Sequence, residues 1–535
     1  KTACPAHIAV QGYLKLAAQG KYREALQLIK RENPFPAVCG RICNRRCEDA
    51  CTRGTVDQAV AIDEVKRFIA QQDLDAATRF VPEKVIPKVD GAFDQQIAII
   101  GGGPAGLSCA YYLAEKGYRP TVFEKEQRLG GMLENGLPSF RLEKDVVQAE
   151  IDVLREMGVQ FRCGVEVGKD VTIAQLRQEG FRGFYVAVGL QSGGKLDIPG
   201  GDAQGVMAGI DFMRQVNGGQ ETKLEGRVVV IGGGNIAADV ARTAVRCGAE
   251  SVDLYCLESY DDMPMGPEDR GECERDGITI HAGWGQTEIV TENGHAAGIR
   301  FRKCLRVKND QGRFAPEFDD NDTCQAQCAA VLYCIGQKVD WRQLLTGTAV
   351  TFNPNGTAQV DPVTYQTAEP GIFAGGDAVT GQKFAIDAIA AGKEGAISLH
   401  RFVQKATLTI GRNRRQFVEL DKENALIPVG FDNTPRQQIG YNEALRRTFR
   451  DERIAFTAEQ VQKETARCLS CGASVVDPNK CIGCGVCTTK CAFDAIHLHR
   501  ERPECTHMIP AEDKMKAILP YMVKRQIKIR KAGKK

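Results

Sequence analysis

An α/β fold built from two nested strand–turn–helix–strand units follows from three observations on the 535-residue sequence. "IAIIGGGPAGLSCAYYLAEKGYRPTVFEKE", from Ile97, runs strand, glycine turn, helix, strand. "RVVVIGGGNIAADVARTAVRCGAESVDLYCLE", from Arg227, repeats that order. "TAEPGIFAGGDAVTG", from Thr367, and the helical "KFAIDAIAAGKEGAISLHRFV" return to the style of the first unit. The second unit therefore reads as an insertion into the first, and two such units in one chain form an internal repeat. Both ends of the chain are rich in cysteine.

The first glycine turn carries Gly101, Gly103 and Gly106. Glycine at these places permits the tight turn, close backbone approach to a pyrophosphate and close helix packing. The helix N-terminus offers its N–H groups to phosphate. Glu124 ends the following strand, at the offset expected for an acidic group that holds ribose hydroxyls. The second turn has Gly232, Gly233 and Gly234, then Asn235, Ile236, Ala237, Ala238 and Asp239, with alanine in place of the last glycine. Both are Rossmann-like dinucleotide-binding signatures. Two of them suggest flavin in one and nicotinamide in the other, a pairing that converts two-electron into one-electron chemistry and calls for one-electron carriers nearby.

Cysteine is the candidate source of those carriers. The chain has 21, and twelve fall in two terminal segments. "CIGCGVCTTKC" places Cys481, Cys484, Cys487 and Cys491 at the C-x2-C-x2-C-x3-C spacing of bacterial-type ferredoxin clusters, with Ala492 where proline is usual. "CLSC" just upstream adds Cys468 and Cys471, and Cys505 is a possible seventh ligand, so the segment holds one or two [4Fe-4S] clusters. Paired C-x2-C motifs also suit zinc. Near the start, Cys43, Cys47 and Cys51 recur every four residues and fall on one side of a helical turn. Cys4, followed by Pro5, is the candidate fourth ligand. Isolated cysteines such as Cys109, Cys163 and Cys247 read as small buried hydrophobes.

The bulk numbers exclude several classes. Seventy basic residues against 68 acidic leave a net charge of +2, which argues against a general nucleic-acid binder. No apolar run of about 18 residues and no leader peptide is apparent, so neither a membrane span nor export is expected, and the expected location is cytoplasmic. The expected domains are a helical iron–sulfur domain over 1–76, an FAD-binding domain over 77–215 and 346–405, and an NAD(P)-binding domain over 216–345. A linker over 406–465, a ferredoxin-like domain over 466–508 and a basic tail over 509–535 complete the chain.

The motifs are specific enough to carry a resemblance. "TACPAH", "CGRICNRRCEDAC", "IIGGGPAGLSCAYYLAEKGY", "VFEKEQRLGGML", "GLPSFRLEK", "VVIGGGNIAADVAR" and "GIFAGGDAVTG" together resemble the glutamate synthase small subunit and its relatives. Those relatives include the flavin and iron–sulfur half of dihydropyrimidine dehydrogenase and the large subunit of NADH-dependent ferredoxin:NADP oxidoreductase. The resemblance spans residues 1 to about 405. It implies that Cys4, Cys43, Cys47 and Cys51 hold one [4Fe-4S] cluster. It also implies that Glu124, Gly131 and Asp377 contact FAD, and that Arg141 lies near the flavin. The family carries a further set, C-x2-C-x4-C, just before the position of Cys4. The chain starts three residues before Cys4, and Lys66 stands where a glutamine or glutamate ligand is often found, so that cluster is expected to be absent. The candidate cofactor contacts are Gly101, Gly103, Pro104, Ala105, Gly106, Glu124, Lys125, Gly130, Gly131, Arg141, Gly232, Gly234, Asn235, Ile236, Glu258, Gly336, Gly376 and Asp377.

Coenzyme choice turns on "VDLYCLESYDDMP". NADP-dependent members of the resembled family read "YRR" where this chain has Tyr255, Cys256 and Leu257, the arginine pair gripping the 2′-phosphate. Glu258 beside the vacancy accepts from a 2′-hydroxyl and repels a 2′-phosphate, which predicts NAD(H). The alternative has Glu258 facing solvent and Arg246 or Arg270 supplying the phosphate contact.

The expected activity is that of an NADH-linked FAD and iron–sulfur oxidoreductase serving other redox subunits or ferredoxin, with hydride passing between nicotinamide and flavin. No protein acid, base or nucleophile is required for that transfer. A disulfide reductase needs a redox C-x-x-C beside the flavin, and the available pairs lie near the C-terminus. A relay subunit without a working nicotinamide site, or an NADPH-dependent enzyme like the glutamate synthase small subunit, are the alternatives. The tail "KRQIKIRKAGKK", with seven basic residues in twelve, reads as a solvated terminus.

Overall fold

A computed structural model describes residues 3–83, 93–412, 421–422, 427, 430–471, 481–491, 496–499 and 510–532. Cys505 and Ala492 lie outside the described residues. The chain divides into two compact units, Lys1–Gly472 and Ala473–Lys535. None of the described helices is long and apolar enough to cross a membrane.

Two five-stranded parallel sheets form the frame of the first unit. In the first, the order is Ile372–Ala374, Phe181–Val186, Gln96–Ile100, Thr121–Glu124, Gln160–Cys163. The strand Ile372–Ala374 returns to this sheet from beyond the second one, which is the insertion that the sequence suggests. In the second, the order is Val206–Ala208, Ala330–Tyr333, Arg227–Ile231, Ser251–Cys256, Thr279–Ala282. The continuous apolar runs "IAII" and "VVVI" suit strands covered on both faces, as parallel sheets are; Ile97, Ile99, Val228 and Val230 are buried. A three-stranded antiparallel sheet, Trp284–Glu292, His295–Lys308 and Phe314–Gln327, is appended to the insert.

The N-terminal helices Val10–Ala18, Tyr22–Lys30, Pro36–Ile42 and Ile62–Ala70 do not form an independent core. Tyr13, Leu26, Ile29 and Val65 belong to one apolar cluster that continues through Leu107, Tyr111 and Ile151 of the first dinucleotide-binding domain. The carboxylate of Glu150, on the helix Lys144–Glu156, accepts from Ala37 N at 2.8 Å and Val38 N at 2.9 Å. A residue from one domain thus caps a helix of the other.

The stretch expected to be a linker is partly folded onto this unit. Gly440–Tyr441 pairs with Arg453–Ile454, and the helix Ala458–Ala466 starts with a reciprocal Thr457–Gln460 capping box. Buried Glu464 accepts from Ala61 N at 2.8 Å and from Gln437 N at 2.7 Å. In the second unit the described elements are the short helix Val486–Lys490, a single 3-10 turn at Ala511–Asp513 and the helix Lys514–Ala532. The basic tail is therefore helical through Ala532.

Candidate functional site

The two glycine turns open onto one cleft of about 620 Å³. Its wall includes Gly101, Gly103, Pro104, Ala105, Glu124, Gly131, Arg141, Gly234, Asn235, Ile236, Glu258, Gly336, Gly376 and Asp377. The remaining candidates shape the turns from behind. A Cβ on Gly106 would stand 2.0 Å from Gly101 O, so helix and strand can approach only with glycine there. Gly232 has φ +140° and donates to Tyr255 O at 2.8 Å. Gly130 donates to Gly102 O at 2.8 Å. Lys125 follows Glu124 and is half-buried without lining the cleft.

Several features test the fit of a flavin dinucleotide. Glu124 is buried at the strand end and accepts from Gly102 N at 2.7 Å and Glu126 N at 3.0 Å, which fixes its carboxylate beside the glycine turn. Burial raises its pKa above the ordinary carboxylate value, offset by those two N–H donors. Gly131, at φ +56°, crosses Gly103 so closely that a Cβ would lie 2.9 Å from the Gly103 Cα, leaving bare backbone at the mouth of the turn. Asp377 borders the cleft at the start of a short helix, its carboxyl pushed up to about 6 by burial. These residues fit FAD.

In the insert, Glu258 lies against the glycine turn. A Cβ on Gly233 would meet the Glu258 Oε2 at 2.7 Å. The arginines that could otherwise take a 2′-phosphate are engaged. Arg246 donates to Thr448 O at 2.8 Å and pairs with Asp276 at 2.7 Å, with its side chain 1% exposed. Arg270 donates to the Tyr260 carbonyl and lies over the Tyr260 ring. Arg141 reaches from the first domain into the insert, bonding Asp239 and Asp269 at 2.5 Å each. It lines the cleft while its guanidinium is held by those carboxylates.

The cysteines fall into groups that the spacing alone does not define. Cys4 and Cys43 are close enough for each thiolate to act on the other's charge, as are Cys43 and Cys47, and buried Tyr13 faces both Cys4 and Cys47. Burial pushes the Cys43 and Cys47 thiols up, and the ammonium of Lys66 opposes it. Lys66 is buried among these thiols and ion-paired with Asp63. Cys51, the fourth residue expected at that site, lies near enough to Cys468 for its charge to act there. Cys468 and Cys471 also depart from expectation: they belong to the first unit, because Arg467 and Glu464 anchor them to residues 57–61. Cys481, Cys484 and Cys487 are exposed and Cys491 half-buried in the second unit. Among the described residues no three cysteine, histidine or acidic side chains converge on a single metal ion. An iron–sulfur cube, bound at its corners, requires spaced thiolates instead.

Sequence reasoning missed the segment Ala187–Gln191 and the residues Lys383, Phe384 and Ala385, which also line the cleft. They carry no motif; a strand end before "GLQ" and a helix start at "KFAI" were the available signals.

Nested dinucleotide-binding domains with a shared cleft, flanked by thiol clusters, define a flavin- and nicotinamide-type oxidoreductase. The chain belongs to the pyridine nucleotide-disulphide oxidoreductase family, which it matches over residues 95–392. Residues 1–78 match the 4Fe-4S domain II of dihydropyrimidine dehydrogenase, and residues 474–497 a 4Fe-4S binding domain. Similar proteins include the NADP(+)-dependent formate dehydrogenase subunit beta of Moorella thermoacetica, 34% identical over 88% of this chain and 69% of that one. The glutamate synthase [NADPH] small chain of Escherichia coli is 31% identical over 75% of this chain and 88% of that one. The NADPH-Fe(3+) oxidoreductase subunit beta of Geobacter sulfurreducens is 29% identical over 88% and 74%. The resemblance to glutamate synthase small subunits therefore holds. Among solved structures, Mycobacterium tuberculosis FprA in complex with NADPH shares the fold, with a TM-score of 0.50 at 17% identity over 58% of this chain and 85% of that one.

Proposed function

We propose that this chain is the NAD(H)-handling electron module of a multi-subunit redox complex. FAD in the shared cleft would supply the conversion between hydride transfer with a nicotinamide and single-electron transfer to iron–sulfur clusters. Glu124 holds the adenosine ribose of the flavin, Gly103 and Gly131 admit the pyrophosphate, and Asp377 faces the ribityl chain. Cys4, Cys43 and Cys47 supply thiolates to a cluster in the N-terminal helices, and Cys481, Cys484, Cys487 and Cys491 to one in the second unit. Among the described residues that line the cleft, Cys334 is the one cysteine, without the paired thiol a disulfide reductase needs. That favours electron exit through clusters. Partner redox subunits are supported by similar proteins that are themselves beta subunits. So many cysteines suit a reducing compartment, the cytoplasm.

The observation that carries the coenzyme assignment is the Glu258 carboxylate against Gly233, with Arg246 and Arg270 engaged elsewhere. A carboxylate there accepts from a 2′-hydroxyl and repels a 2′-phosphate. The similar proteins named above are NADP(+)- or NADPH-linked by name, which points to the other coenzyme and makes the direct comparison of NADH with NADPH the deciding one. Anaerobic stopped-flow flavin reduction tests the assignment. NADH is expected to reduce the flavin at least about tenfold faster than NADPH, equivalent to ~1.4 kcal/mol, and Glu258→Gln to narrow the gap. NADPH reducing as fast as NADH overturns the assignment, and reduction by neither reassigns the chain as a relay.

A further inference from the structure

We propose that Cys51, Cys468 and Cys471 ligate one iron–sulfur cluster, distinct from the one at Cys4, Cys43 and Cys47 and from the ferredoxin-like segment.

The site is built from residues more than 400 positions apart in sequence. Cys468 lies near enough to Cys51, Cys471 and Lys15 to sense the charge of each. Gln11, on the helix Val10–Ala18, donates its Nε2 to the Cys471 Sγ at 3.6 Å. Three thiols from two ends of the first unit therefore gather at one edge of the N-terminal helices.

Two buried arginines lock that juxtaposition. Arg53, two residues after Cys51, donates to the carbonyl of Arg467 at 3.1 Å. Arg467, the residue before Cys468, is 0% exposed and donates to Asp57 at 3.1 Å, Gln58 O at 2.7 Å and Ala59 O at 3.3 Å. Burying a guanidinium is costly unless every donor is matched, so such reciprocal pairing fixes the backbone of both cysteines. A solvated linker has no need of it.

The local geometry at Cys468 repeats the geometry at Cys43. Arg45, two residues after Cys43, has φ +55°. Ser470, two residues after Cys468, has φ +52°. A left-handed non-glycine residue costs of order 1 kcal/mol or more and persists where something else requires it. Here it falls two residues after a thiol at both places, where a left-handed turn can bring a backbone N–H toward cluster-bound sulfur, and such bonds tune a cluster. Cys468 and Cys471 thus belong with Cys51, and the C-x2-C they form is separate from the run that starts at Cys481.

Iron and acid-labile sulfide per bound flavin test this on the full-length chain, purified anaerobically. The variants are Cys468→Ser/Cys471→Ser, Cys484→Ser/Cys487→Ser and the combination of both pairs. Each pair is expected to lose about four irons, the content of one [4Fe-4S] cluster, and the combination about eight, with Cys51→Ser reproducing the first loss. No further loss in the combination places the two pairs on one cluster and overturns the proposal. Full iron retention in Cys468→Ser/Cys471→Ser, or stoichiometric zinc in the wild type, also overturns it. A variant that loses its flavin is replaced by alkylation mapping of the wild-type holoprotein. Cys51, Cys468 and Cys471 are expected to label together, and only after chelation; labelling before chelation refutes the site.

Discussion

Asp377 borders the flavin cleft with a carboxyl that burial, helped by the charge of Asp387, pushes from an ordinary 3.8 up to about 6. Its pKa is higher folded than unfolded, so the folded chain binds the extra proton. The associated stability is fully present below about pH 4 and is lost as pH rises through about 6. The flavin-free chain is therefore expected to gain stability between pH 7 and pH 5, by of order 1 kcal/mol, and Asp377→Asn to flatten that dependence, as urea midpoints across the range will report. The role of Asp377 is legible only through resemblance, because a lone aspartate after "GG" has no chemistry of its own. Glu124 is different: glycine spacing and strand position identify it unaided. Glu258 lies between the two, since "YCLE" shows that a phosphate fork is missing, while the structure supplies the contact with Gly233.

At the scale of elements, the helix Pro36–Ile42 leads directly to Cys43, and its first N–H groups are held by Glu150 from another helix. Burial pushes the Glu150 carboxyl up to about 8, against the pull of those two donors. Glu150→Ala removes both acceptors and leaves buried N–H groups unpaired, at ~2–4 kcal/mol. Glu150→Gln keeps one carbonyl oxygen and is expected to cost less. Thermal unfolding ranks the two, and iron content is expected to fall with the alanine variant because Cys43 loses its support. Nothing in the sequence announces this cap, which joins residues 113 positions apart. The parallel strands, by contrast, are legible as unbroken apolar runs. The pairing of Gly440–Tyr441 with Arg453–Ile454 is not, since two residues per strand give no periodicity and the fold there is held by ionic contacts from distant elements.

Across the whole first unit, a charged seam joins the parts that must cooperate. Arg141 of the flavin domain bonds Asp239 and Asp269 of the insert, and its own carbonyl accepts from Arg453 at 2.8 Å. Arg453 in turn is bound to Asp451, which also holds Arg67 of the N-terminal helices at 3.0 Å. Arg242 extends the seam through Glu272 and through Asp276 at 2.8 Å. Flavin domain, insert and iron–sulfur helices are thereby tied through one set of half-buried and buried ions. Removing one member of such a set strands its partners, at ~3–5 kcal/mol, whereas neutralising both sides together costs less. Arg141→Met is therefore expected to destabilise the first unit strongly and to slow flavin reduction by nicotinamide, because Arg141 and Asp239 both line the cleft. Adding Asp239→Asn and Asp269→Asn to Arg141→Met is expected to restore most of the stability, since no uncompensated carboxylate remains. Recovery of the reduction rate need not follow: if the seam sets the angle between the two nucleotide-binding domains, the triple variant stays slow while its unfolding midpoint returns, and the two measurements together separate the energetic role of Arg141 from its geometric one.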